Sequence, residues 1–535
     1  MLKKYWPLLI TLCAYWGIVL VLIILSMEAN QGLLVYPLDD TYIHMAIAKN
    51  TVLHHVWGIT KYGFSSATSS PLWTAILVIV YAVFGVSEIA PLILNFLLGT
   101  LVVITVNSIL ERQIHNSLEK LVILLTVVLA IPLPAITITG MEHVLQILLT
   151  LCFIDLSCRY LSTPLRQFQQ NNKSLMLLTF LVCFTRYEGL FLVFIVCVLL
   201  LTQKNLFRTV ITGATALLPV TLYGIWSIEH GWLFLPNSIL LKGRFPGFSI
   251  AGLATFLVSG CKNIILSGPI FWLLIISLFL LLSLYRNRKT PYKYGIYANL
   301  IFVTTTLQHL FFSSTGWFYR YEAYIVCIGI ITIGLSLNQM MQTIRKWNKK
   351  KEKTIYYATT IILVVTLPFG GRILTSLKDT PQATHDRFLE HIQIAQFIRK
   401  YYNDSVVALN DIGAVAYFTD ARIIDIYGLS SLEPYIFRGQ DNGYSKQDVY
   451  TWTKNEGVQI AFLQIQWNEI QPRVPDEWEL VSQWEIPQNV VFHDTKFGIF
   501  AVDPLARDDL IKNLKSFEAE MPSDLKQIFR YKEKE

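Results

Sequence analysis

The feature that most constrains this chain is a succession of apolar runs, each close to the length needed to cross a bilayer. The first, Trp6 to Ser26, follows Lys3 and Lys4 and matches the roughly 20 residues that span a hydrocarbon core. Further runs lie near 71–86, 91–110, 120–135, 141–158, 174–186, 188–202, 208–228, 263–285, 294–312, 321–341 and 354–370. With 53% hydrophobic and 15% charged residues over 535 positions, too little polar surface remains to solvate a globule of this size. The chain reads as an α-helical polytopic membrane protein, with a membrane module over 1–370 and a small α/β domain over 371–535.

Charge divides the chain at the same place. Residues 371–535 hold 18 Lys+Arg and 25 Asp+Glu, which leaves 26 and 12 of the chain's 44 and 37 to residues 1–370. A basic membrane part suits lipid headgroups and phosphate-bearing substrates, and the acidic tail excludes nucleic acid as a partner. All seven cysteines precede residue 371 and none forms a CxxC pair, so neither a disulfide framework nor a zinc site is expected.

The basic loops set the topology. Arg345, Lys346, Lys349, Lys350, Lys351 and Lys353 form the strongest cluster, and Arg286, Arg288, Lys289 and Lys293 another; both belong inside. Twelve crossings would leave the tail inside as well, whereas the last cluster requires it outside. The run at 71–86 starts at Pro71 and ends at Gly85, and it reads as an interfacial or re-entrant segment. Eleven crossings then satisfy every basic loop, including 111–119, Arg159/Arg166/Lys173 and Lys204/Arg208. The first run becomes an uncleaved anchor in a bacterial cytoplasmic membrane. A long first outer loop, 28–70, and the tail become extracytoplasmic. The tail's patterns predict an amphipathic helix over 386–402, strands at 406–409, 423–426, 459–464 and 490–502, and a charged helix near 505–518.

Acids are scarce in residues 1–370, and charge near a bilayer needs a reason. Asp39 and Asp40 are adjacent, just after the first crossing. A carboxylate there suits a general base towards an acceptor hydroxyl, with its neighbour orienting it or binding a cation; equally, both suit the cap and first turn of a helix over Tyr42–Asn50. Arg320, within Trp317-Phe-Tyr-Arg-Tyr321, can pair bidentately with phosphate or snorkel from an interfacial aromatic belt. Glu142 reads as a helix-start acid or an orienting group. Arg186 and Glu188 read as a pair at a broken hairpin. His44, His54 and His55 lack zinc-motif spacing. Trp57, Tyr62, Phe64 and Trp73 fit a sugar platform or an interface. Asp411 and Asp425, each at the end of a short apolar strand, read as turn and cap residues.

Taken in order, Leu38-Asp-Asp-Thr-Tyr-Ile-His44, Ser70-Pro-Leu-Trp73, Thr139-Gly-Met-Glu142, Arg186-Tyr-Glu-Gly189, Leu235-Pro-Asn-Ser238 with Lys242, Gly316-Trp-Phe-Tyr-Arg-Tyr321, Asn410-Asp-Ile-Gly-Ala414 and Ile424-Asp-Ile-Tyr-Gly-Leu429 form a series. The series resembles a bacterial family of GT-C-type integral-membrane glycosyltransferases that includes the mycobacterial terminal β-arabinofuranosyltransferases. Ser69 and Tyr187 depart from the family's usual Thr and Pro; Tyr42 and Trp73 match it.

The resemblance implies a GT-C fold, a polyprenyl-phosphate sugar donor, inversion at the anomeric carbon, a glycan or lipid-linked acceptor, and the acid pair Asp39 and Asp40 as the catalytic locus. Arg320, Lys242, Arg244 and Arg186 are the cations available for the donor phosphate. Tyr42, His44, Trp73, Glu142, Glu188, Asn237 and Trp317 are candidates to bind or orient substrate. No nucleotide is needed at the site and no cofactor is assigned; a divalent cation held by the acid pair and Glu142 is open, and no metal ligand set is defined. The competing class is a transporter or lipid flippase, which would show internal repeats and buried charges at mid-bilayer; no repeat is visible.

Overall fold

The structure, a computed structural model, describes residues 2–163, 172–244, 246, 249–286, 293–343, 350–440 and 443–531. Of the basic loop residues, Arg166, Arg288, Lys289, Arg345, Lys346 and Lys349 lie outside these.

Among the described residues, seven helices are long and apolar enough to cross a membrane: Tyr5–Ala29, Ala90–Glu111, His143–Ser162, Leu206–Glu229, Pro269–Arg286, Ala323–Met341 and the apolar part of Thr354–Tyr401. Shorter apolar helices, among them Lys173–Thr185 and Gly189–Thr202, complete the bundle. Outward faces carry exposed Leu20, Leu97, Phe194, Leu222 and Phe279, while one continuous apolar core lies within. That inside-out distribution is the one a lipid solvent demands, and the protein is a multi-pass membrane protein. The expected short segment is Pro71–Phe84, capped by Ser70, whose side chain accepts from the Trp73 amide. At 14 residues it is only about 21 Å long, shorter than a hydrocarbon core.

Two stretches differ from expectation. Between the runs expected to end at 228 and to begin at 263 lie the helix Asn237–Lys242 and most of the helix Ile250–Leu266, and the next helix starts at Pro269. Ser267-Gly268-Pro269 makes the break: Gly268 has φ +54° and Pro269 cannot donate to a preceding turn. At the other end of the bundle, one helical run passes from Lys350 to Tyr401 straight through residue 371. Pro368 and Pro381 do not end it. A 3₁₀ turn at Leu367–Phe369 and π-helical turns at Ile361–Thr366 and Phe388–Ile392 absorb the missing or displaced bonds.

Beyond this helix lies a mixed six-stranded sheet, β1 Val406–Leu409, β2 Arg422–Asp425, β3 Ile460–Gln464, β4 Glu479–Glu485, β5 Lys496–Ala501 and β6 Lys526–Phe529, in the order β2-β1-β3-β5-β4-β6. β1 runs parallel to β2 and β3, and the remaining pairs are antiparallel. Strands β4 and β6 were not foreseen, and the strand expected over 490–502 begins only at Lys496. β4 and β6 interleave Glu, Ser, Gln and Lys with their apolar residues, Ser482 and Gln483 being buried and Lys526 exposed, so they lack the apolar run that marks the buried β1 and β3.

The helix Asp39–His54 is the joint between bundle and sheet domain. Asp39, Thr41 to Ala48 and Asn50 are all buried, on every face of the helix. Tyr42, Ile43, Met45, Ala46 and Ile47 share one core with Phe388, Phe397, Ala414, Val415 and Tyr417. The close approach depends on Gly413: a Cβ there would lie 2.3 Å from the Asp39 carbonyl oxygen and 2.9 Å from the Ile43 nitrogen. Gly413→Ala is therefore expected to force the two helices apart at a cost of about 1–3 kcal/mol. A lowered thermal midpoint in detergent checks this; an unchanged midpoint would show that the joint is looser than its packing implies.

Candidate active site

Asp39 and Asp40 open the Asp39–His54 helix, as expected, but each carboxylate leaves its own helix. Asp39 reaches the short helix Gly413–Phe418, accepting the Gly413 amide at Oδ2 (2.6 Å) and the Ala414 amide at Oδ1 (2.9 Å). Asp40 lies between two cations, with Lys242 Nζ at 2.9 Å from Oδ1 and Arg320 Nη2 at 2.8 Å from Oδ2. Burial opposes the charge on Asp40, but Lys242 and Arg320 outweigh it and hold the carboxyl far below the usual range. Burial opposes the charges on Lys242 and Arg320, but Asp40 raises the Lys242 pKa and Tyr321 together with Asp40 raises that of Arg320.

Arg320 is 1% exposed, and its placement is forced. Gly316, Trp317, Phe318 and Tyr319 all have positive φ, at 84, 44, 60 and 64°, and a left-handed non-glycine residue costs roughly 1–2 kcal/mol. The turn is held from several sides. The Gly316 amide donates to Glu322 Oε2 (2.7 Å), Arg372 pairs with Glu322 and donates to the Tyr319 carbonyl (2.8 Å), and the Tyr319 hydroxyl donates to Asp379 (3.1 Å). Backbone strain sustained in this way clusters at active sites and ligand clamps.

Two cavities meet at Asp40. One, of about 270 Å³, is lined mostly by apolar groups, including Leu190, Phe191, Val220, Leu235, Ile239 and Phe312, with Lys242, Arg244, Arg320 and Tyr321 at one end. The other, of about 440 Å³, lies between bundle and sheet domain. It is lined by Asp39, Asp40, Lys242, Arg244, Trp317 and Tyr321 on one side and by Arg387, Asp411, Tyr427, Trp467 and His493 on the other. Asp40, Lys242, Arg244, Ser314 and Tyr321 belong to both. The Arg244 guanidinium is exposed and has no side-chain partner among the described residues. Trp317, His493 and Trp467 form a continuous stack, with centroids 5.0 and 4.4 Å apart.

The other expected site residues divide into three groups. Trp317 faces the second cavity. Arg186 and Glu188 line the first, but Arg186 is buried against two carboxylates, Glu142 at 2.6 Å and Glu188 at 2.7 Å. The Arg186–Glu188 pair read from the sequence is present. Glu142 also accepts from Ser69 (3.1 Å) and lies 3.4 Å from His44 Nε2, while His44 Nδ1 meets Thr74 at 2.8 Å. This network backs the first cavity; within it Glu142 Oε2 is buried with no hydrogen-bond partner among the described residues. Tyr42, Trp73 and Asn237 line neither cavity. The Tyr42 hydroxyl accepts the Tyr36 amide while its ring packs on Tyr417 and Phe418. Trp73 sits fully buried among Leu77, Tyr81 and Leu145. Asn237 donates to the Gly428 and Ser431 carbonyls (2.9 and 3.1 Å), tying its loop to the sheet domain.

Glu142 does not join the acid pair in an oxygen site. Among the described residues the set able to bring three donor atoms within 4.8 Å of one another is Asp39, His391 and Asp411. Positive charge already sits there: Arg387 Nη1 is 3.7 Å from Asp411, and both Asp39 oxygens accept backbone amides. His391 bridges the acids, 3.3 Å from Asp411, 3.8 Å from Asp39 and 2.9 Å from Glu390. Burial opposes its charge, yet these carboxylates raise its pKa. Sequence reasoning missed Arg387, His391, Trp467 and His493, which stand singly and in no motif; the π-helical turn that carries Glu390 and His391 has no sequence signature.

A model for a domain of unknown function, DUF8728, matches residues 381–501. No curated protein matches the sequence. Among solved structures, the chain is similar to ArnT from Cupriavidus metallidurans bound to undecaprenyl phosphate, at TM-score 0.51 and 11% identity, over 92% of this chain and 98% of that one. Apo ArnT from the same organism gives 0.49 and 12%, over 92% and 97%. The apo oligosaccharyltransferase of Archaeoglobus fulgidus gives 0.48 and 10%, over 94% and 75%. The likeness to lipid-bound ArnT establishes the fold, the GT-C-like architecture with a sheet-containing C-terminal domain that the motif series implies.

The depressed Asp40 pKa has a definite sign. The ion pairs stabilise the fold above the unfolded value of about 3.9 and lose that contribution as pH falls through it towards the folded value. Asp40→Asn, which strands the buried Arg320, is expected to cost about 3 kcal/mol or more at neutral pH. The gap in thermal midpoint from wild type should stay constant above about pH 5 and narrow below about pH 4; a gap independent of pH would contradict the pairing.

Proposed function

We propose that this protein is an inverting membrane glycosyltransferase. It transfers one sugar from a polyprenyl-phosphate donor to a glycan or lipid-linked acceptor at the outer face of the cytoplasmic membrane. The observation that carries the reading is Asp40, held by Lys242 and Arg320 where an apolar cavity meets a polar one. The motif resemblance to the arabinofuranosyltransferase-containing family and the likeness of fold to ArnT bound to undecaprenyl phosphate support it.

The chemistry follows from charge. Asp40, Lys242, Arg320 and Arg244 together carry an excess of positive charge, suited to a phosphodiester that becomes a monoester dianion as the sugar departs. The prenyl chain takes the apolar cavity, and its phosphate shares Lys242 and Arg320 with Asp40. Sharing those cations relaxes their hold on the carboxylate, whose basicity rises when the donor is in place. Asp40 then accepts the acceptor's hydroxyl proton as the new C–O bond forms opposite the breaking one. Asp39 positions this group by locking the start of its helix to Gly413 and Ala414.

In membranes supplied with a panel of radiolabelled polyprenyl-phosphate sugars, Asp40→Asn is expected to lower transfer by about 10²-fold or more. Arg244→Ala should raise the donor KM. With three side-chain cations at the phosphate, EDTA is expected to leave the rate unchanged; recovery only with Mg²⁺ or Mn²⁺ would instead assign a metal to Asp39, His391 and Asp411. A folded, inserted wild type that uses no donor in the panel would overturn the transferase reading, and movement of labelled lipid across the bilayer would favour a flippase.

A further inference from the structure

We infer that Asp411, from the sheet domain, is a substrate-contacting residue that binds a hydroxyl pair of a polyhydroxylated acceptor in the second cavity and so determines acceptor specificity. The inference rests on the glycosyltransferase reading for its reaction but not for its binding site. It reverses the role that position alone suggests for this residue.

Asp411 sits between strand β1 and the helix Gly413–Phe418, where an aspartate ordinarily turns the chain or caps the helix. It does neither, for it accepts no backbone amide among the described residues. The amides it would take, those of Gly413 and Ala414, are taken by Asp39 from across the molecule. Asp425, at the corresponding end of β2, shows the ordinary arrangement and accepts the amides of Tyr427 (2.9 Å), Gly428 (2.9 Å) and Ser430 (2.7 Å). Asp39 has thus relieved Asp411 of its local task and left a carboxylate facing the cavity.

That carboxylate is aimed rather than loose. Its Oδ2 accepts from Gln464 Nε2 (2.8 Å) at the end of β3 and lies 3.3 Å from His391 Nε2, while Oδ1 has no partner among the described residues. With 28% of its side chain exposed, it is the most open of the carboxylates around this cavity. Its place in the sheet is also the favoured one. The chain leaves β1 for β2 on one side and returns to β3 on the other, so Asp411 and Gln464 lie at the carboxyl ends of two parallel strands at a topological switch point, where open α/β sheets bind ligands. Trp317, His493, Trp467 and Tyr427, packed ring against ring, line the same cavity. A carboxylate with one free oxygen beside stacked rings suits a ring compound with apolar C–H faces and equatorial hydroxyls.

The test uses the full-length protein in nanodiscs, free of sugar-headed detergent. A panel of methyl glycosides and short oligosaccharides is titrated against tryptophan fluorescence, and the same compounds serve as acceptors in the transfer assay. Asp411→Asn is expected to raise the apparent Kd and the acceptor KM by roughly tenfold or more, with donor KM unchanged and Asp411→Glu recovering part of the loss. A lowered kcat at unchanged acceptor KM would make Asp411 a proton acceptor or a structural group and overturn the inference. So would equal affinity in wild type and Asp411→Asn, or no saturable quench by any compound in wild type. Asp411-dependent binding without transfer from any donor would uphold this site and overturn the transferase reading alone.

Discussion

The arrangement of this protein depends on a carboxylate that caps a helix 374 residues away. Asp39 accepts two amides of the sheet domain from the first turn of a helix that belongs to the membrane module. Charge-assisted bonds of this kind, buried from water, are strong and directional. They fix the helix Asp39–His54 in both position and rotation, and the packing of Tyr42, Ile43 and Ile47 against Ala414, Val415 and Tyr417 follows. Because Asp40 is the next residue on the same helix, its direction is set at the same time. The polar cavity exists because the two modules are held at this separation and no closer.

The second constraint is the buried guanidinium of Arg320. A cation almost wholly removed from water requires a counter-charge, and Asp40 supplies it. The left-handed turn at Gly316–Tyr319 is tolerated because Glu322, Arg372 and Asp379 over-determine it, so the sequence Trp317 to Arg320 delivers an aromatic ring to one cavity and a cation to the other. Lys242 arrives from a six-residue helix whose first residue, Asn237, is itself bonded to the sheet domain. Asp39, Asp40, Lys242 and Arg320 are thus each positioned by a contact between elements distant in sequence.

The motif series named the stretches that converge, but not what each residue within them does. Tyr42 and Trp73, read as substrate residues, are packing residues, since an aromatic in a motif looks the same whether its ring faces a cavity or a core. Arg186, read as a phosphate cation, is neutralised by Glu142 and Glu188; the first of these partners lies 44 positions away and gives no local sign. Asp411 lies just beyond β1 and Asp425 ends β2, so both stand at the carboxyl end of a strand, and the tertiary partner Asp39 separates their roles.

Apolar length and charge asymmetry are properties of the chain itself, and they determined the membrane module, the acidic sheet-bearing tail, the short segment at 71–86 and the strands β1, β2 and β3. The adjacency of Asp39 and Asp40 was equally plain. What only the tertiary structure decided is the continuity of the helix from Lys350 to Tyr401, the strands β4 and β6, and the division of labour among the three carboxylates of the polar cavity. Burial and pattern are summed over neighbouring residues and can be read along a sequence, whereas a hydrogen bond or ion pair between residues hundreds of positions apart leaves no periodicity in either partner.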